Sequence, residues 1–260
     1  LREVGTTNRT RIKDYTLALT PRTRLLLKVH RSNFEVVGFT EETTLEDLVS
    51  LGEPRDIPAV HDIGSGLLID LSDFGLKGEP LVRDSVATGA TVVFSGDKLV
   101  GGPQAGMIVG PTNVVDRAKT NPLARALRPD KFTIAALEAT LALYRDPANA
   151  LKKIPTLSML VSDPEILKQR AESLAATIPD AFTTAGNSAV GGGSFPGAEL
   201  PTTLVGLSTN SPSRMLEALR RNNPPVIARA ADGNVLFDVR TIADAEFAIV
   251  QAAVGSALAQ

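Results

Sequence analysis

Residues Thr91 to Gly106 read TVVFSGDKLVGGPQAG: a β-branched and aromatic run of strand length, then a turn dense in glycine that carries Lys98. Working outward, Arg24–His30 (RLLLKVH), Ile57–Asp62 (IPAVHD) and Ala105–Val109 (AGMIV) are further short apolar runs. Between them lie two helical patterns. In Glu41–Leu51, Leu45, Leu48 and Val49 fall at helical spacing, and Glu79–Thr88 is closed by Gly89 as a C-cap. Strands alternating with helices predict an α/β unit with a mainly parallel, doubly wound sheet. Lys131–Arg145 places Ile134, Leu137, Leu141 and Tyr144 on one helical face, and Pro147 follows as a stop signal. The domain boundary is expected there, giving a larger domain over residues 1–145 and a smaller one over 146–260.

The smaller domain reads as α+β. Helices are expected at Glu165–Ala176 and Ser213–Arg221, with a glycine-rich turn, VGGGS, at Val190–Ser194. Strands are expected over Thr202–Leu207, Val226–Arg229 and Val235–Val239, and Thr241–Ala259 is an amphipathic helix interrupted by Asp244 and Glu246. Asp232-Gly233 joins two of these strands as a hairpin turn, since glycine tolerates the positive φ of a primed turn.

Composition narrows the function. The 260 residues are 43% hydrophobic and 22% charged, ordinary for a globular protein. Lys and Arg number 27 against 29 Asp and Glu, so no global positive field captures nucleic acid. Aromatics are only 4%, with no Trp, which disfavours a base-stacking surface and favours small-molecule chemistry. Without Cys there are no disulfides, thiol nucleophiles or Cys-ligated zinc, and a reducing, cytoplasmic setting fits. No apolar stretch predicts a membrane span. The first residue is Leu, no secretory signal precedes it, and the N-terminus reads as cut.

The chemistry-bearing residues sit at predicted strand ends, where open α/β sheets bind ligands. Asp62 closes a strand in VHDIGSG; taken alone, it reads first as a turn or helix cap. Lys98 follows a strand within its glycine-rich turn and is a candidate for imine chemistry. The run RLLLKVH leads into His30, Ser32 and Asn33. An Asp on one strand, with a Lys about 35 residues later beyond a crossover helix and a further strand, is how type I pyridoxal phosphate enzymes are built. The carboxylate keeps the pyridine nitrogen protonated, and the lysine holds the aldehyde as an imine. Ser95 is placed either to donate to the cofactor phosphate or to cap the turn.

EVGTTNRT (Glu3–Thr10), KVHRSNF (Lys28–Phe34) and above all SGDKLVGGPQAG (Ser95–Gly106) resemble the bacterial selenocysteine synthase family, L-seryl-tRNA(Sec) selenium transferase. The resemblance continues through NPLARALRPDK (Asn121–Lys131), VGGGSFP (Val190–Pro196) and PPVIARAADGNVLFDVRTI (Pro224–Ile242), essentially the whole chain. It implies a type I pyridoxal phosphate-dependent transferase fold, here a partial large domain followed by a small α+β C-terminal domain. It further implies that Lys98 carries pyridoxal 5'-phosphate and that Asp62 partners the pyridinium. Asn33 lies near the cofactor 3'-oxygen by position rather than by motif. Asp97 matches the acidic neighbour of the family's lysine and either moves a proton or caps the turn.

The same resemblance associates Arg125 and Arg128, three apart in ARALRP and expected on one helical face, with the selenium donor selenophosphate. The implied reaction converts seryl-tRNA(Sec) to selenocysteinyl-tRNA(Sec) through an aminoacrylyl intermediate, with Lys98 taking the α-proton. Arg240 stands where many type I enzymes bind a free carboxylate, but a seryl ester has none, so a structural role is expected. Family members carry a tRNA-binding N-terminal domain and more of the large domain ahead of EVGTTNRT, and assemble as homo-oligomers with shared sites. Gly101 and Gly102 then serve either a neighbour's site or a plain turn. Two rival readings are a related pyridoxal phosphate lyase acting on a free amino acid or amino sugar acid, and a non-catalytic oligomerising fragment.

Overall fold

The computed structural model describes residues 1–259, which fall into two compact units. The first comprises Leu1–Ser158 and Gly191–Ala198; the second comprises Met159–Val190 and Glu199–Gln260.

The first unit runs α1 (Ile12–Ala18), β1 (Leu26–Val29), α2 (Leu45–Gly52), β2 (Ala59–Gly64), α3 (Val82–Ala87), β3 (Thr91–Ser95), β4 (Gly106–Val109), α4 (Thr112–Thr120), α5 (Pro122–Ala126), α6 (Lys131–Leu143), α7 (Pro147–Lys153) and α8 (Pro155–Leu160), the last straddling the division. The sheet order is β1-β2-β3-β4. The first three strands are parallel and β4 returns antiparallel to β3, the one break in the parallel pattern. Parallel pairing requires the crossovers that the 3.6-residue patterns supply. Thr44 caps α2 by accepting the Asp47 N–H, and Leu45 and Leu48 bury against Leu26, Ala59 and Ala90. On β2, Ala59, His61 and Ile63 are buried while Val60 and Asp62 are half-buried, the period-two alternation that turns Asp62 away from the His61 face.

The sequence boundary at 145/146 differs from this division. Ala150 and Ile154 of the following helical segment are buried, and Ile154 packs so closely on Gly101 that a Cβ there would lie 2.3 Å from its Cγ2. Packing of this kind carries the first unit on to Ser158. The expected single apolar face of α6 is also modified, because Ile134 and Leu141 are exposed. Leu137 and Tyr144 do pack: Leu137 Cδ2 lies 3.0 Å from where a Cβ of Gly96 or of Gly102 would stand, and Tyr144 Oη donates to the carbonyls of Leu99 and Val100 at 3.0 and 2.9 Å. Helix α6 therefore braces the turn that carries Lys98.

The second unit contains α9 (Pro164–Ala175), β5 (Phe182–Ala189), β6 (Glu199–Ser208), α10 (Pro212–Arg221), β7 (Arg229–Ala231), β8 (Asn234–Asp238) and α11 (Phe247–Leu258). Its antiparallel sheet has the order β5-β6-β8-β7. Leu167, Leu174, Val205, Leu219, Phe237 and Val250 belong to its buried core. Asp232 and Gly233 take φ of 51° and 77°, the left-handed pair expected for the hairpin turn. The last helix starts at Phe247, after Glu246 accepts the Ala243 N–H, so Asp244 and Glu246 precede it rather than interrupt it. Among the described residues, no helix is long and apolar enough to cross a membrane.

Candidate active site

Four segments of the first unit meet at the C-terminal edge of its parallel strands. The chain after β1 brings His30, Ser32 and Asn33; the end of β2 brings Asp62 and Gly64; the turn after β3 brings Ser95, Asp97 and Lys98; and Gly191–Ala198 returns to the same place. Lys98 lies between two glycines. A Cβ on Gly64 would stand 3.5 Å from Lys98 Nζ and 3.6 Å from Ser32 Oγ, and one on Gly193 would stand 3.1–3.3 Å from Lys98 Cε, Cδ and Nζ. Gly64 and Gly193 have φ of 65° and 93°, left-handed conformations that glycine adopts without strain. Asn33 Oδ1 lies 3.5 Å from the Cβ position of Gly192.

Asp62 Oδ1 accepts the Gly64 N–H at 3.1 Å, which ties the carboxylate to the glycine whose Cβ position faces Lys98 Nζ. Lys98 makes no ion pair among the described residues, so its amine is not committed to a carboxylate. Ser95 and Asp97 are committed to each other: Ser95 Oγ donates to Asp97 Oδ1, and Asp97 is exposed. In this structure Asp97 closes the turn. Arg125 and Arg128 are both exposed, but α5 ends at Ala126, so Arg128 lies beyond the helix and the expected common helical face does not form.

Glu79 carries no role in the sequence reading, yet it is the buried acid of this region. Its side chain is fully enclosed, its Oε2 accepts the Phe195 N–H at 2.7 Å and lies 3.4 Å from His30 Nε2, and Ser65 Oγ donates to its Oε1. Burial pushes this carboxyl up, but the contacts from His30, Ser65 and Phe195 outweigh it and hold the group below the usual carboxylate value. On sequence, Glu79 reads as the first residue of a helix. Only the return of a segment 116 residues away shows otherwise.

In the second unit, Arg240 is buried and each of its three guanidinium nitrogens donates to a protein oxygen. Nε donates to Ser188 Oγ at 2.9 Å, and Nη1 and Nη2 donate to the carbonyls of Met159 and Pro201 at 2.6 Å each. This is the structural role expected of it.

A free lysine amine in a glycine-walled cradle, with a carboxylate and an amide at the same sheet edge, fits a carbonyl cofactor with a basic ring nitrogen. The chain matches the solved structure of D-glucosaminate-6-phosphate ammonia-lyase with a TM-score of 0.62 at 20% identity, over 98% of this chain and 63% of that one. The fold is thus that of the type I pyridoxal phosphate-dependent enzymes.

Sequence comparison narrows this to a family. The model for SelA, L-seryl-tRNA selenium transferase, matches residues 1–243. The chain is 48% identical over 262 residues to the L-seryl-tRNA(Sec) selenium transferase of Solidesulfovibrio magneticus, covering 96% of this chain and 56% of that protein. It is 52% identical over 254 residues to that of Geobacter sulfurreducens, covering 94% and 55% respectively. The chain belongs to the SelA family and spans a little over half the length of these relatives.

Proposed function

We propose that this chain is the lysine-bearing part of a pyridoxal phosphate-dependent enzyme that converts L-seryl-tRNA(Sec) to L-selenocysteinyl-tRNA(Sec), with selenophosphate as the selenium donor. The observation that carries the reading is Lys98, uncommitted to any carboxylate and seated between Gly193 and the Gly64 that Asp62 holds, in a chain of this family. When bound, the cofactor supplies an electron sink for charge developing at the substrate α-carbon. Lys98 would hold the cofactor's aldehyde carbon, and its amine, when free, would take the substrate α-proton. Asp62 holds the proton on the ring nitrogen. Asn33 would orient the ring, and Ser95 would reach the cofactor phosphate only by turning its single O–H from Asp97, which would free that carboxylate to relay a proton. Arg125 and Arg128 offer two guanidinium groups to the phosphate of the donor. The net exchange breaks the serine Cβ–O bond and the donor's P–Se bond, forms Cβ–Se, and leaves the phosphoryl group on the departing oxygen as orthophosphate.

Exposed Phe34, Val37, Phe39 and Ile134 support assembly with further copies as a homo-oligomer, and an aminoacyl-tRNA substrate supports a cytoplasmic setting. Against a lyase acting on a free amino acid, Arg240 is buried and turns each of its guanidinium nitrogens to a protein oxygen of Ser188, Met159 or Pro201. The test is product formation from seryl-tRNA and selenophosphate by the intact protein. Selenocysteinyl-tRNA should form with wild type and not with Lys98→Ala. Donor-independent deamination of a free amino acid or amino sugar acid, with seryl-tRNA untouched, would refute the reading.

A further inference from the structure

We propose that Glu79 is a positioning residue that fastens the Gly191–Ala198 segment over Lys98 and so sets the exposure of the lysine amine. Its carboxylate joins three site-forming segments. His30 follows β1, Ser65 follows β2, and Phe195 belongs to the returning segment; all three meet the two oxygens of one enclosed side chain. Two residues before Phe195 stands Gly193, whose Cβ position is 3.1–3.3 Å from the outer atoms of Lys98. Phe195 is buried with φ of 44°, a left-handed conformation that a large side chain keeps only where its surroundings enforce it. The Phe195 N–H donates to Glu79 and supplies part of that enforcement. His30 Nε2 is buried without a hydrogen bond and lies 3.4 Å from Glu79 Oε2, so Glu79 is the charge that faces the chain leading to Ser32 and Asn33.

The chemistry requires an acceptor at both oxygens. In Glu79→Gln the amide oxygen can still take the Phe195 N–H while the NH2 faces Ser65 Oγ, which can itself accept. In Glu79→Ala every one of these partners is stranded.

The catalytic meaning rests on Lys98 being the attachment point, but the experiment is read on the intact protein without added cofactor, so the two can fail separately. Hydrogen exchange would be followed in peptides covering 189–198 and, as reference, β2 and β3. Losing a bond to a charged acceptor should speed exchange of the 189–198 peptide about tenfold in Glu79→Ala and less in Glu79→Gln, with the sheet unchanged. Reductive methylation, mapped by peptide, should label Lys98 about tenfold faster in Glu79→Ala, against an unchanged rate at exposed Lys119, with most of the wild-type protection retained in Glu79→Gln. If Glu79→Ala does not fold, Glu79→Gln decides alone, and faster exchange of 189–198 with an unchanged sheet is required. Unchanged exchange in that peptide, equal acceleration in the sheet, or Lys98 labelling that does not move would overturn the proposal.

Discussion

His61 neighbours Asp62 on β2 but faces the other way, buried at 5% exposure, with Nδ1 3.1 Å from Ser85 Oγ. Burial is the main cause that lowers its pKa from the usual 6.5 to about 4; Lys28 and His30 add to the shift, and Glu42 opposes it. The sign follows from the two states. The unfolded ring takes up a proton first as pH falls, so the contribution is complete above about pH 6.5, declines towards pH 4 and is flat below it. Integrating one proton over that window, at up to about 1.4 kcal/mol per pH unit, gives a loss of about 2.5 kcal/mol between about pH 8 and about pH 4.5. Urea unfolding followed by far-UV circular dichroism at stepped pH, on wild type and His61→Gln, isolates the ring from the carboxylates common to both. Wild type should lose about 2.5 kcal/mol relative to the variant across the window. Curves that stay parallel from pH 8 to 4.5 would show that the ring is not held neutral by burial, and the packing described for β2 would be wrong.

Gly191 and Gly193 provide a matched pair, with φ of 89° and 93°. Alanine at either position should cost about 1–2 kcal/mol in urea unfolding from left-handed strain. Only Gly193→Ala meets Lys98, Gly191 having nothing within 4 Å, so only that variant should slow reaction of Lys98 with pyridoxal phosphate. Tyr144→Phe removes the donor to the Leu99 and Val100 carbonyls and should lower stability by about 1 kcal/mol, read as a shift in urea midpoint. Replacing Arg125 and Arg128 together with alanine should leave cofactor binding intact and raise the selenophosphate concentration needed for half-maximal product, measured by donor titration.

What the sequence conveys here depends on how local each signal is. TVVFS is β3 to the residue, and the Asp232-Gly233 turn is equally self-contained, because neighbouring residues satisfy it. Strand β5 (FTTAGNSA) escapes the reading because it is a sheet edge on which only Ser188 is buried, so no apolar alternation marks it. Val226 misleads in the opposite sense: it is buried in the core, yet its N–H goes to the Leu219 carbonyl, and the strand begins only at Arg229. Apolarity there reports burial, not pairing. Lys98, Asp62 and Asn33 were legible as a strand-end group, and the fold places them at one sheet edge. The mutual bond of Ser95 and Asp97, and Glu79's hold on Phe195, were not legible, because they depend on side-chain geometry and on a segment returning from far along the chain.

The central claim is that Lys98 is the group to which pyridoxal phosphate becomes attached. Protein mixed with pyridoxal phosphate, reduced with borohydride and mapped by peptide mass, tests it most directly. The account predicts an imine absorbance that borohydride abolishes, a pyridoxyl adduct on Lys98, and loss of both in Lys98→Ala. An adduct on another lysine, or an imine signal that survives Lys98→Ala, would contradict it.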